Sequence, residues 1–236
     1  MMIKSFLYRN FPRISIKLRD VNRYGYEPEM KILSIIPHSG LTAIDVGAHL
    51  GNWTFKMSKV FSSVYSFEPN IFLSDLLERS GLDNVIVQNI ALSSNSGFSE
   101  LRLPIVNEIV RFGNGSLNPI TDFIFDRQIT QAVKLSTLDS YNLTNIGIIK
   151  IDVEGHELNV LKGGLNTIKQ SKPIMVIEIN NNEIETIKKI LNLFDKFAYK
   201  PYIMGRGNKM FPWMPGDISK SSNYIFISGN SSWQHN

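Results

Sequence analysis

From residue 41 onward, short apolar runs alternate with stretches whose apolar positions recur every three or four residues. LTAIDV (41–46), VYSFE (64–68) and VIVQNIAL (85–92) read as strands. Between them, GNWTFKMSKVF (51–61) places Trp53, Met57, Val60 and Phe61 near helical spacing, and NIFLSDLLERS (70–80) is a helix closed by Gly81. The alternation pauses at FSELRLP (98–104) and AVKLS (132–136), two expected strands flanking a long irregular stretch with Gly113, Gly115 and Pro119. It resumes with the β-branched run GIIKIDV (147–153), a helix over about 156–170, the strand PIMVIEI (173–179) and the helix EIETIKKILNLF (183–194). KFAYKPYIM (196–204) and NYIFIS (223–228) follow with no helix between them, which predicts a reversed strand at the sheet edge. Upstream, Met2, Ile3, Phe6 and Leu7 make one helical stripe ended by Pro12, and EMKILSII (29–36) reads as a helix stopped by Pro37. The fold class is α/β: a doubly wound sheet of about seven strands, mostly parallel, with a reversed C-terminal edge strand.

Composition narrows the classes. At 236 residues, 43% hydrophobic and 19% charged, the chain is globular and long enough for a full core. There is no cysteine, which removes disulfides, a thiolate nucleophile and any sulfur-ligated metal. No apolar run approaches the roughly 20 residues of a membrane span, and the charges of the first 20 residues are too evenly spaced for a signal core. A soluble, cytoplasmic protein is expected. The net charge of +4 is uneven: residues 1–23 hold six bases (Lys4, Arg9, Arg13, Lys17, Arg19, Arg23) against Asp20 alone. The remainder is slightly acidic, which argues against a nucleic-acid partner. The expected organisation is a basic helical extension (1–37), one α/β domain (38–228) and a polar tail (229–236).

In such a sheet, ligands bind outside the carboxyl ends of the strands. The first strand ends in Asp45-Val46-Gly47-Ala48-His49-Leu50-Gly51, and the second ends 23 residues after Asp45 in Glu68-Pro69-Asn70. Gly47 permits a tight turn, and Gly51 lets a helix start close to the sheet. An acidic residue at the place of Glu68 is how ribose hydroxyls are held. The loop is G-x-x-x-G, without the extra glycine of a dinucleotide fingerprint or a following Gly-Lys-Ser/Thr. A nucleoside without a phosphate chain suits it better, and S-adenosylmethionine is the obvious one.

The segments AIDVGAHLGNWT (43–54), YSFEPN (65–70), NIALS (89–93), VKLSTLDSY (133–141), IKIDVEGHELNVLKGG (149–164) and VIEIN (176–180) resemble, in this order, the FkbM-family methyltransferases. That family comprises class I, Rossmann-like, S-adenosylmethionine-dependent enzymes that usually O-methylate sugars or polyketide-type products. IDVEGHE is the most specific element of the resemblance, which covers about residues 40–228. It implies that Asp45, Gly47, Ala48 and Gly51 line the methionine end of the cofactor, that Glu68 holds the ribose, and that Asn89 and Ala91 border the adenine. Asp152, Glu154 and His156 then follow the fourth strand and face the transferable methyl.

Methyl transfer to an alcohol needs a base for the hydroxyl proton. Asp152 and His156 are the candidates, with His156 favoured because imidazole titrates near neutrality. Glu154 and His156 have a competing reading as caps of the following helix. Glu178, at the next strand end, could join Asp152 around a Mg²⁺ ion, or bind substrate or backbone instead. Asn180, Arg206 and Trp213 are substrate candidates; the 205–222 loop offers an apolar plate with flanking cations for a sugar ring, or is mere surface with Trp213 buried in the core. Segment 104–131 is the expected lid or acceptor wall. The basic head of residues 1–23 is a structural helix pair, a peripheral contact with anionic membrane, or a guide for an acidic acceptor. The expected activity is O-methylation of a saccharide or natural-product hydroxyl. The alternatives are RNA or protein methylation, or a non-catalytic nucleoside-binding protein of the same fold.

Overall fold

The computed structural model describes residues 10–21, 26–120, 124–179, 184–205, 209–213 and 223–229. Helix α1 (Pro12–Val21) and a 3-10 segment (Pro28–Ser34) precede β1 (Thr42–Val46), α2 (Asn52–Ser58), β2 (Ser63–Phe67), α3 (Ile71–Glu78) and β3 (Val85–Gln88). Next come β4 (Ala91–Leu92), β5 (Gly97–Val106), β6 (Ile109–Val110) and β7 (Arg127–Ser136). The chain continues through β8 (Ile146–Ile151), α4 (Glu157–Lys162), α5 (Leu165–Ser171), β9 (Ile174–Glu178), α6 (Ile184–Asp195), β10 (Tyr199–Met204), β11 (Met210–Pro212) and β12 (Asn223–Ser228).

Eight strands form the main sheet in the order β11-β10-β12-β9-β8-β1-β2-β3. The block from β9 to β3 is parallel, whereas β12 runs antiparallel to both β9 and β10. Two strands are reversed: β11, antiparallel to β10, lies at the sheet edge as expected, and β12 lies further in. The latter is inserted between β9 and β10, and all six of its residues are buried. A strand covered on both faces must be apolar along its length, and the Tyr-Ile-Phe-Ile core of β12 meets that need.

Side chains alternate between two cores, as a two-residue period requires. Ile44, Val46, Ile149, Ile151, Met175 and Ile177 face Val160, Ile168, Ile187 and Phe194 of α4, α5 and α6. Ala43, Val64, Ile148, Val176 and Ile225 face Trp53 and Met57 of α2 and Met30, Ile32 and Leu33 of the 3-10 segment. The expected helix over 156–170 is split at Gly163, where a Cβ would come within 2.0 Å of the Ser93 carbonyl. EMKILSII forms 3-10 turns rather than an α-helix.

Segment 97–136 is far more regular than its glycines suggest. Strands β5 and β7 pair antiparallel from Gly97↔Leu135 to Ile105↔Arg127, within a second sheet of order β4-β7-β5-β6. Its buried side chains are Ala91, Leu101, Leu103 and Val133. Ser116 Oγ donates to the Glu154 carbonyl (2.7 Å) and Asn118 Nδ2 to the Gly155 carbonyl (2.7 Å), so this insert grips the loop after β8.

At the other end, Pro12 is the first residue of α1, and Asn10 just before the break at Phe11 is helical too; proline suits a first turn because the N–H it lacks has no partner there. The stripe at residues 2–7 lies outside the described residues. Ile16 packs on Ala48, Phe55 and Leu77, Arg19 donates to the Leu50 carbonyl, and Asp20 pairs with Lys56 and Lys59 at 2.5 Å each. Ile14, Leu18 and Val21 are exposed on the same helix, as is Phe11 just before it. Among the described residues no helix is long and apolar enough to cross a membrane.

Candidate active site

Because β1, β2 and β8 are parallel, their carboxyl ends open onto one rim, and the cleft lies there. It encloses about 760 Å³, including its mouth. Gly47, His49, Glu68 and Asn70 form one side, and Asp152, Val153, Glu154 and His156 the other. Phe67, Ile90, Ala91 and Leu92 lie between them, and Leu101, Phe112, Gly115 and Leu117 of the insert cover the space. The acceptor-wall expectation for 104–131 therefore falls on residues that border the cleft.

The first side is built from backbone. Gly47 has φ +79°, and a Cβ there would lie 1.8 Å from the Asp152 carbonyl oxygen, so the two sides meet only across a glycine. Glu68 directly follows β2 and is 6% exposed. Its Oε2 accepts from the His49 N–H (2.7 Å) and its Oε1 from the Asn70 N–H (2.9 Å). Burial raises its pKa to about 7 despite those two donors. Asn70 caps α3 by accepting from the N–H groups of Phe72 and Leu73. Its Nδ2 is buried and has no hydrogen-bond partner among the described residues. A carboxylate with spare lone pairs beside an unanswered amide donor fits a ligand that bears hydroxyls.

Several residues expected at the methionine or adenine end do not themselves line this cleft. Asp45 is buried behind Gly47, on the opposite face of the sheet from its neighbour Val46. It accepts from Thr54 Oγ1 (2.6 Å), which lies 2.8 Å from Ser66 Oγ. Burial raises its pKa to about 6. Ala48 packs beneath α1. Gly51 is needed for packing, since a Cβ would lie 2.5 Å from Leu77 and 3.3 Å from Ile16. Asn89 turns away and ties the loop after β2, donating to the carbonyls of Glu68 (3.0 Å) and Pro69 (2.9 Å). Ala91 does border the cleft. His49 was not among the expected residues, although it sits inside the G-x-x-x-G loop. Its φ is +50°, and burial lowers its imidazole pKa.

On the second side, Asp152 donates its N–H to the Val46 carbonyl (3.0 Å), which stitches the loop to β1. Glu154 adopts φ +50° and reaches the cleft. The expectation of His156 as base meets an obstacle. Its Nδ1 accepts from Asn159 Nδ2 (3.2 Å), so Nε2 carries the hydrogen and donates to Ser93 Oγ (3.0 Å). Burial also lowers its pKa, leaving a neutral ring with both nitrogens engaged. His156 is the N-cap residue of α4 but makes no cap hydrogen bond with its side chain. The buried Glu157 carboxylate accepts from the Gly155 N–H (3.0 Å) instead.

A polar row crosses the sheet just behind this rim. Ser66, Asp45, Lys150, Glu178 and Asn223 all occupy the face of Ala43, Ile148, Val176 and Ile225, and their strands are successive neighbours. Lys150 is 1% exposed, and its Nζ donates to Asn223 Oδ1 (2.7 Å). The same ammonium stands 3.6 Å from Glu27, 3.7 Å from Glu178 and 3.9 Å from Asp152. Burial opposes its charge, but Asp152, Glu27, Glu178 and Asp45 outweigh that and hold its pKa above the ordinary value. Glu178 goes the other way for a carboxylate in an ion pair: burial, then the charge of Asp152, raises it to about 7. Three carboxylates compete for one ammonium, so Glu178 gains too little from it to offset its own desolvation. A Mg²⁺ ion held by Asp152 and Glu178 does not fit this arrangement, because the two carboxyls contact each other directly and the lysine ammonium already lies 3.9 and 3.7 Å from them. Among the described residues no three His, Asp or Glu side chains are placed to hold one ion.

Of the remaining substrate candidates, Asn180 and Arg206 lie outside the described residues. Trp213 is 5% exposed and packs edge-on against Tyr224 at 5.7 Å. It belongs to the main core, where an indole gains more from burial than a solvent loop would give it, and it offers no plate for an acceptor.

Residues 45–201 match the methyltransferase FkbM domain. The chain is 31% identical over 140 residues to the hexuronic acid methyltransferase AglP of Haloferax volcanii, an alignment that takes in 58% of this chain and 54% of that protein. The chain thus spans about half the length of this curated relative. Among solved structures, it superimposes on the methyltransferase FkbM of Methylobacillus flagellatus KT with a TM-score of 0.54 and 15% identity, covering 95% of this chain and 57% of the other. At that identity the superposition speaks for the fold.

Proposed function

The chain belongs to the FkbM methyltransferase family, and on that premise we propose that it is an S-adenosylmethionine-dependent O-methyltransferase acting on a saccharide hydroxyl. One observation carries the reading: a carboxylate held by backbone, Glu68, and a second carboxylate, Asp152, line a single cleft on either side of the Gly47 turn. The bound cofactor supplies an electrophilic methyl group on a sulfonium. Glu68 accepts hydrogen bonds from the ribose hydroxyls, and Asn70 Nδ2 supplies a donor beside it. The apolar surface of Ile90, Ala91 and Leu92 receives the base. Asp152 takes the acceptor's hydroxyl proton as oxygen attacks, since His156 has no free nitrogen for it. Glu154 faces the acceptor from the same loop. The insert, with Leu101, Phe112 and Leu117, excludes water and shapes the acceptor space. The name of the Haloferax relative makes a hexuronic acid glycan the first acceptor to try.

Calorimetry with S-adenosylmethionine tests the first half, and transfer of labelled methyl to a panel of neutral and uronic saccharides tests the second. Binding that is weakened in Glu68→Gln, and label recovered in saccharide, is the expected result. Absence of cofactor binding by the intact chain overturns the reading. Binding with label transferred to RNA or protein instead rejects the acceptor class.

A further inference from the structure

We propose that Lys150 is a built-in cation which stands where a divalent metal would otherwise sit, and that it positions Asp152 for its work at the cleft. The inference deepens the methyl-transfer reading and, in its second arm, rests on it.

The argument begins with position. Lys150 interrupts β8, whose other five residues are Ile and Gly, at a place with no access to water. Desolvating an ammonium is costly unless partners answer it. Here they arrive from four segments: Glu27 before the 3-10 turn, Asp152 after β8, Glu178 at the end of β9, and Asn223 at the start of β12. Trp53 of α2 adds its ring face, 5.7 Å from Nζ. One N–H is spent on Asn223. The remaining two are shared among three carboxylates, none closer than 3.6 Å, so the ammonium acts on them as a central charge rather than through one dedicated hydrogen bond.

That is the electrostatic work of a divalent ion at adjacent strand ends: it gathers carboxylates that would otherwise repel and fixes their direction. Asp152 is the one member that also lines the cleft. Its main chain is fixed by the Val46 carbonyl and its side chain is steadied by Lys150 from behind, so the carboxylate is presented to the acceptor without a metal. When the acceptor oxygen attacks, its O–H bond breaks and the proton passes to the Asp152 carboxylate, so the net positive charge delivered with the methyl leaves as that proton. Lys150 transfers nothing; it is a positioning residue acting through Asp152.

Two arms test this on the full chain. The first uses Mn²⁺ alone, followed by electron paramagnetic resonance, and does not depend on what the enzyme methylates. The wild-type chain should leave Mn²⁺ free. Lys150→Ala should bind it through water, because loss of the ammonium lets Glu27, Asp152 and Glu178, which are not placed around one ion in the wild type, turn toward the emptied space. Mn²⁺ binding by the wild type that disappears in Asp152→Asn overturns the proposal. The second arm compares kcat with cofactor affinity. Lys150→Met should lower kcat about a hundredfold while the Kd for S-adenosylhomocysteine stays within about threefold. Methylammonium added to Lys150→Ala should restore part of the lost turnover, which a purely structural lysine would not allow. If the single variants do not fold, Lys150→Met combined with Glu178→Gln removes one charge of each sign and is read by the same split. Unchanged kcat in a folded Lys150 variant, or wild-type turnover abolished by EDTA and restored by Mg²⁺, refutes the role. Absence of saccharide methylation by the wild type would instead strike the functional reading, leaving the Mn²⁺ arm to decide the cation's place.

Discussion

The two sides of the cleft hold their carboxylates by different means. Glu68 is held by main-chain N–H groups of His49 and Asn70, both within 20 residues of it in sequence. Asp152 and Glu178 are held by a side-chain ammonium whose partners are drawn from positions 27 to 223. The first arrangement depends on the path of the chain and tolerates changes of side chain nearby. The second depends on particular side chains and tolerates little. Binding needs a fixed frame, which backbone supplies; proton transfer needs a tuned charge, which side chains supply.

The harshest way to break this comparison is to close the gap between the two sides. Gly47→Ala places a methyl 1.8 Å from the Asp152 carbonyl, and strain at a positive φ adds to it. A loss of about 4 kcal/mol or more is expected, read as a collapse of the urea midpoint or as insoluble protein; an unchanged midpoint would mean that the sides do not meet there. Next, Asp152→Asn should cut turnover by about 10²–10⁴-fold and leave cofactor affinity nearly intact. Equal losses in both would erase the division of labour. Glu68→Gln should do the reverse, weakening S-adenosylhomocysteine binding about 10–100-fold in calorimetry, because an amide cannot accept at both oxygens of the original pair.

The smallest effect is a pH dependence. A carboxylate whose folded pKa lies above its unfolded value favours folding while protonated, and that stability is lost as pH rises through the folded pKa. For Glu68 the window runs from 4.5 to about 7. Burial gives Asp45 and Glu178 the same sign, with folded values of about 6 and about 7. The ligand-free protein should therefore have a lower urea midpoint at about pH 8 than at about pH 5, and Glu68→Gln should remove only its own share of that slope. A slope untouched by the substitution would assign it to the Lys150 side.

The same contrast explains what could be read from the sequence. The strand–helix alternation, the glycine turn at Gly47 and the acid at Glu68 are local patterns, and they appear in the structure close to where the periodicity puts them. Lys150 escaped notice because a single lysine in an apolar run gives no hint of partners 73 residues downstream and more than a hundred upstream. Asp45 and Asn89 are polar residues of the type a ligand loop needs, but their hydrogen bonds go to Thr54 and to the loop after β2, and Ala48 and Gly51 lie under the packing of Ile16 and Leu77. Trp213 could be read either way because the prolines and glycines around it mark a loop while its nearest neighbours are apolar; following β11, it lies in the core. The 97–136 insert was obscured by Pro104 and the paired glycines, which interrupt the two-residue period without preventing a ten-residue hairpin.

The place of β12 bears on how the molecule assembles. The strand slots between β9 and β10, and its Asn223 bonds to Lys150 across 73 residues and to Glu27 across 196. Contacts of such span close large loops, and loop closure is the slow part of folding. A chain emerging from the ribosome can pair β1, β2, β3 and β8 well before residue 223 is available. The half-finished sheet then holds a lysine ammonium without its nearest oxygen acceptor, between two strands that present open edges. Completion of the charge network is thus tied to the insertion of β12, which acts as the latch on a site whose other parts are already in place.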